Sequence, residues 1–315
     1  MKKLLKCVVF TAGLLAIPAA INHYIFKRTA HMKPSGYYRS FYYNWRYGKI
    51  RYVVAGHGSP ILLLHGFGPG ANSMEWKRNI EALSKSYRVF VPDLLGFGYS
   101  DKPDTTYSAY LYASFINDFI KNVIGEQVGI VANGLSAAHA VAAYDFEPSL
   151  YKKMVLIAPD GIGTRQHMPA AKCVWLRWLL QSPLLGTSIY NIMTSRCFFK
   201  WSMQRLFFFD AAMAKRFIDA HYTAAHYGGH LAKLSFAAYA TAFLNVNITH
   251  MLERINIPIR LLWGKNNMVN PIQNAQQFIK QCPHATLAVS EDAKCYPHIE
   301  CPDQFNNLCK AFFRD

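Results

Sequence analysis

The sequence predicts an α/β fold with a mostly parallel central sheet and a helical insertion. Three observations predict it. From residue 46 onward, short apolar runs alternate with helical patterns, the signature of parallel strands joined by crossover helices. Two of those runs end in glycine-rich turns. A basic, aromatic-rich stretch over 161–258 breaks the alternation and sits between two of the runs.

The expected strands are Ile50–Ala55, Ile61–His65, Arg88–Pro92, Val128–Ala132, Met154–Ala158, Ile259–Trp263 and Thr286–Val289. Expected helices cover Ser73–Ser86, Ser108–Ile124, Leu135–Phe146, Gln273–Gln281 and Pro302–Phe313. In the second of these, Leu111, Phe115, Phe119 and Val123 recur every fourth position, as on the core-facing stripe of an amphipathic helix. Residues 161–258 read as an inserted helical cap. Such a cap lies over the carboxyl ends of the strands, where open α/β sheets bind ligands.

The remaining divisions are an N-terminal segment over 1–28, a polar and aromatic linker over 29–45, and core segments over 46–160 and 259–315. Lys2, Lys3 and Lys6 precede an apolar run from Cys7 to Ile21, which weakens through Phe26 and stops at Lys27-Arg28. About twenty apolar residues span a bilayer. The run therefore reads as a membrane anchor, with a cleaved signal or a buried helix as alternatives. Basic residues flank both ends, so the side of the membrane stays open.

The net charge of +16 is unevenly spread. Residues 1–60 hold ten Lys/Arg and no acid, and residues 161–258 hold ten against three, while the rest is close to neutral. No basic aromatic stripe or helix-turn-helix pattern accompanies the charge, which excludes a nucleic-acid reader. An anionic membrane surface fits both basic regions. The seven cysteines show neither CxxC nor Cys/His ligand spacing, so no metal site and no cofactor is expected.

Two strings carry a resemblance. Leu62-Leu63-Leu64-His65-Gly66-Phe67-Gly68 is a strand running into His-Gly, and Val91-Pro92-Asp93-Leu94-Leu95-Gly96-Phe97-Gly98-Tyr99-Ser100-Asp101-Lys102-Pro103 follows. Leu262-Trp263-Gly264 and Tyr296-Pro297-His298-Ile299-Glu300 add to them. Over residues 46–315 the chain resembles the α/β-hydrolase superfamily, in particular its capped branch of epoxide hydrolases, haloalkane dehalogenases, haloperoxidase-like esterases and C–C bond hydrolases. The resemblance implies an oxyanion hole built from the backbone N–H groups of Phe67 and of the residue after the nucleophile, Leu135. Asp93 and Ser100 are expected to brace loops.

The resemblance also implies a Ser-Asp-His triad, and its three positions depart from that pattern. The nucleophile falls on Gly134, within Ala132-Asn133-Gly134-Leu135-Ser136, the acid on Asn267 and the base on Cys295. Asparagine can orient an imidazole but cannot stabilise its charge, and a thiol is no substitute for a shuttle base. A competing frame makes Ser136 the nucleophile, with Asp160 as acid and His298 as base. A third reading makes Cys295 itself a nucleophile. The leading expectation is a membrane-anchored protein without triad chemistry that binds an apolar or amphipathic molecule, or a partner, under its cap. The alternative is an active hydrolase of lipid-like or small acyl esters.

Overall fold

The computed structural model describes residues 2–29, 32, 38–163 and 169–314, with residues 2–15 described by their helical backbone alone. Chain order runs α1 (Lys2–Thr29), β1 (Ser40–Trp45), β2 (Gly48–Ala55), β3 (Pro60–Leu64), α2 (Lys77–Leu83), β4 (Arg88–Pro92), α3 (Ala109–Phe119), β5 (Val128–Asn133), α4 (Leu135–Phe146) and β6 (Tyr151–Ile157). The cap follows as α5 (Ala171–Gln181), α6 (Leu185–Met193), α7 (Arg196–Ser202), α8 (Ala211–His226), α9 (Ala232–Ala240) and α10 (Thr249–Leu252). The chain returns with β7 (Ile259–Gly264), α11 (Gln273–Gln281), β8 (Thr286–Ser290), α12 (Pro297–Glu300) and α13 (Pro302–Phe313).

The strands form one sheet in the order β1-β2-β4-β3-β5-β6-β7-β8. β1 pairs antiparallel with β2, and β2 antiparallel with β4. From β4 to β8 every pairing is parallel. Every residue of β3 and β5 is buried, as expected of parallel strands covered on both faces. Strand alternation sorts their side chains between two layers. Leu62, Leu64, Ile130 and Ala132 meet α3 and α4 on one face. Ile61, Leu63 and Val131 meet Ile80 and Leu83 of α2 and Phe305 and Phe313 of α13 on the other. Because β3 lies between β4 and β5, the chain reverses its winding direction there. The crevice beyond the carboxyl ends of β3 and β5 is where such sheets take ligands.

Two expectations change. Ser40–Trp45, the end of the expected linker, forms edge strand β1 and pairs through six residues with β2. Its alternation is hard to read because aromatic residues occupy both faces of an exposed edge. The N-terminal segment folds as α1, but among the described residues no helix is long and apolar enough to cross a membrane. The first part of the expected anchor, Cys7 to Leu15, lies outside the residues whose side chains are described. The later part rests on the cap, where α1 packs against α6 and α8. There Asn22 is buried, donates to Ser188 Oγ at 3.0 Å and accepts from Asn191 Nδ2 at 2.8 Å. A buried amide satisfied by protein partners fits a docked helix better than a lipid-facing one.

Candidate functional site beneath the cap

β5 ends at Asn133, and Gly134 turns the chain directly into α4 with φ 57° and ψ −120°. L-residues rarely adopt this conformation, and glycine adopts it without strain. A Cβ built on Gly134 would meet no atom within 4 Å, so the tip of the turn faces open space. Gly134 therefore forms a sharp strand-to-helix turn, the place where the resemblance sets a nucleophile.

Ser136 lies two residues into the helix. It is buried, and its hydroxyl donates to the His65 carbonyl oxygen at 2.5 Å. That bond ties α4 to the end of β3 and points the oxygen away from the turn's tip. His65 completes the brace: its Nδ1 lies 2.7 Å from the Gly66 carbonyl, while Nε2 accepts from the Leu94 N–H at 3.0 Å.

Asn267 and Cys295 come together although 28 residues separate them. Cys295 Sγ donates to Asn267 Oδ1 at 3.2 Å. Asn267 Oδ1 also accepts from the N–H groups of Val269 and Asn270, at 3.0 and 2.9 Å. The close approach depends on Gly264 at the end of β7, where a Cβ would stand 2.0 Å from the Lys294 carbonyl oxygen. Burial pushes the Cys295 thiol up to about 12, so it is protonated at neutral pH. A protonated thiol bonded to an amide oxygen is a weak donor. It is neither a base nor the thiolate that nucleophilic chemistry needs.

Asp160 reaches the same place from the end of β6. It is buried, accepts from Asn270 Nδ2 at 3.2 Å, and its N–H donates to the Gly134 carbonyl at 3.2 Å. His298 does not join it. The imidazole is fully buried between Trp76 and Phe305, with Nε2 3.1 Å from Glu75 Oε1. The alternative set of Ser136, Asp160 and His298 is thus not assembled. The serine is spent on a carbonyl, and the histidine is held by a carboxylate.

That carboxylate was not anticipated from sequence. Glu75 is buried and accepts from Gly66 N and Asn133 Nδ2, both at 2.9 Å, as well as facing His298. Burial alone would raise its pKa, but the His298 hydrogen bond and charge, with the Gly66 N–H, hold it below the usual carboxylate value. Glu75 fastens the loop after β3, the end of β5 and helix α12 to one another. A lone acid in the sequence gives no sign of those partners. Asp93 and Ser100 are braces as expected: Asp93 takes Arg51, Ser73 N and Tyr99 N, and Ser100 Oγ donates to the Asp93 carbonyl.

Two adjoining cavities result. A polar one of about 60 Å³ is lined by Gly134, Asn133, Asp160, Asn267, Asn270 and Cys295, together with Phe67 and Leu135. Leu135 opens α4, so its N–H has no acceptor within the helix. Among the described residues no histidine lines this cavity. A larger one of about 240 Å³ is apolar, with Met193, Phe198, Phe199, Met203, Leu206 and Phe236 from the cap in its wall. Phe67, Phe207, Tyr239 and Tyr296 belong to both walls. His221 enters the apolar cavity, where burial lowers its pKa and keeps it neutral. Among the described residues no cluster of His, Cys, Asp and Glu could hold a metal ion.

Comparison with known proteins agrees with this architecture. The family model for the alpha/beta hydrolase fold matches residues 59–302. The 2-hydroxy-6-oxo-6-(2'-aminophenyl)hexa-2,4-dienoic acid hydrolase of Metapseudomonas resinovorans is 25% identical over 273 residues, covering 84% of this chain and 87% of its own. Among solved structures, a serine hydrolase involved in carbazole degradation superposes with a TM-score of 0.69 at 24% identity, covering 87% of this chain and 98% of that one. The 2-hydroxy-6-oxo-6-phenylhexa-2,4-dienoate hydrolase of Rhodococcus gives 0.71 at 19% identity, covering 88% and 99%. With its sheet order, its inserted cap and a family match over most of its length, the chain belongs to the α/β-hydrolase fold family.

Proposed function

We propose that this protein holds an apolar or amphipathic small molecule beneath its cap and has lost serine-hydrolase chemistry. One observation carries the reading: Gly134, Asn267 and Cys295, the residues that the resemblance sets at the triad positions, line one cavity, with Gly134 at the turn's tip and no histidine in the wall among the described residues. Loss of a single triad member removes most of the nucleophilic rate, and replacement of all three leaves binding and backbone donors. The apolar cavity suits a hydrocarbon or aromatic portion of the ligand. The polar cavity, with the Phe67 and Leu135 N–H groups and the Asn267 amide, suits a carbonyl or hydroxyl end. Membrane contact through the N-terminal region belongs to the same reading, on the strength of the apolar run bounded by Lys2, Lys3 and Lys6 and by Lys27 and Arg28.

The second reading, an ester hydrolase using Ser136, His298 and Asp160, draws support from relatives that are hydrolases. The buried Ser136–His65 bond and the Glu75–His298 pair weigh against it.

Binding is tested with a fluorescent, non-hydrolysable dansyl alkyl amide. Ser202 is buried in the wall of the apolar cavity, so Ser202→Phe fills part of it. The variant should weaken probe binding by about tenfold or more, the scale of a lost buried apolar contact, with its thermal midpoint preserved. Equal affinity in a folded Ser202→Phe variant would count against a ligand in this cavity.

A further inference from the structure

The outer face of the cap is built against the usual rule for a water-facing helix. In α5, Val174, Trp175, Leu176 and Trp178 are all exposed, the two tryptophans at 65% and 68%, and Leu180 is the one residue fully buried. α6 packs against both α5 and α1, and adds exposed Leu185 and Ile192. α1, packed on α6, also carries exposed Ile17 and Ile21. Three adjacent helices thus present large apolar groups to solvent, more than a monomer scatters by chance.

Charge selects the occupant. α1, α5 and α6 contain no Asp or Glu, whereas Lys27, Arg28, Lys172 and Arg177 lie within them. The arrangement of α5 also matters. A helix that docks in a protein groove offers a stripe at every third or fourth position. Val174 and Trp178, and Trp175 and Trp178, keep that spacing, but exposed Leu176 widens the apolar set into a fan broader than one stripe. Such a fan suits a continuous apolar phase, and tryptophans beside lysine and arginine match the boundary between headgroups and acyl chains.

We infer that α5 and α6, continuous with α1, form a surface that seats the cap on an anionic lipid bilayer, with the α5 tryptophans entering the headgroup region. The contact needs no membrane-crossing helix and is independent of what the cavities hold.

The test uses the full chain and co-sedimentation with phosphatidylcholine vesicles, with and without phosphatidylserine. Wild type should bind the anionic vesicles at least about tenfold more tightly, with raised salt weakening the binding. Trp175→Ser with Trp178→Ser should lower the partition coefficient by about tenfold or more. Tyr110→Ser, at an exposed aromatic of α3, should leave it unchanged. Brominated acyl chains should quench wild-type tryptophan fluorescence, a readout that stands even if the double variant folds poorly. Undiminished binding by the folded double variant would overturn the proposal and leave α1 as the sole contact. A wild-type chain that ignores both vesicle types, or is not quenched, would overturn it as well and assign the face to a protein partner.

Discussion

Placing a serine at Gly134 separates the backbone of this site from its chemistry. Nothing lies within 4 Å of a Cβ at that position, so the side chain itself meets no obstacle. The cost is conformational: φ 57° with ψ −120° is a sparsely populated region for L-residues and takes on the order of 1–3 kcal/mol. Gly98, also at positive φ, is a useful contrast. A Cβ there would stand 2.4 Å from Asp93 Cγ, and Asp93 is pinned by Arg51 at 2.9 Å. Gly98→Ala should therefore cost about 2 kcal/mol more than Gly134→Ser, since it adds overpacking to strain. Chemically, Gly134→Ser alone should hydrolyse p-nitrophenyl esters near background, because the thiol of Cys295 does not accept its proton. Adding Cys295→His and Asn267→Asp supplies base and acid at positions whose side chains already meet, Cys295 Sγ standing 3.2 Å from Asn267 Oδ1. Triad residues together are worth about 10⁶ in rate, so recovery of even a small part should place the triple variant at least about a hundredfold above the single one. Urea unfolding and initial ester turnover measure the two halves. The reasoning fails if Gly134→Ser alone matches the triple variant, or if it destabilises as much as Gly98→Ala.

Three further outcomes follow from the buried polar groups. Glu75→Gln puts an amide N–H among donors from Gly66, Asn133 and His298, and should lower stability by about 3 kcal/mol in urea unfolding, the cost of breaking a buried charged network. His139 is fully buried, with Nε2 2.7 Å from the Leu244 carbonyl, and burial lowers its pKa to about 4. The unfolded chain binds this proton first as pH falls below 6.5, so wild type should lose up to about 3 kcal/mol by pH 4; His139→Gln should flatten that acid limb in pH-dependent unfolding. Iodoacetamide at pH 8, followed by peptide mapping, should modify exposed Cys197 long before Cys295, whose thiol burial holds near 12.

The sheet was legible where periodicity and burial agree. β3 and β5 read as apolar runs because both faces are covered, and the two glycine-rich turns marked the carboxyl ends of β3 and β4. Edge strand β1 was hidden, since Phe41, Tyr42 and Tyr43 place aromatic side chains on both faces. The choice between Gly134 and Ser136 turns on a backbone angle, which a string of small residues does not encode. The Cys295–Asn267 contact was within reach of motif spacing, because each residue has its own flanking match. Glu75 and the docking of Asn22 on the cap were not, because both depend on contacts across more than fifty residues. The expected span at the N-terminus followed from local hydropathy alone, which is blind to the cap surface that receives α1.

The most direct measurement of the central claim is treatment of the purified full chain with a fluorophosphonate probe, followed by mass mapping of any adduct. With Gly134 at the tip of the turn and Ser136 bonded to the His65 carbonyl, no serine should be labelled above the heat-denatured control. Stoichiometric labelling of Ser136, abolished in Ser136→Ala and kept in Gly134→Ala, would contradict the account and restore the protein to the serine hydrolases.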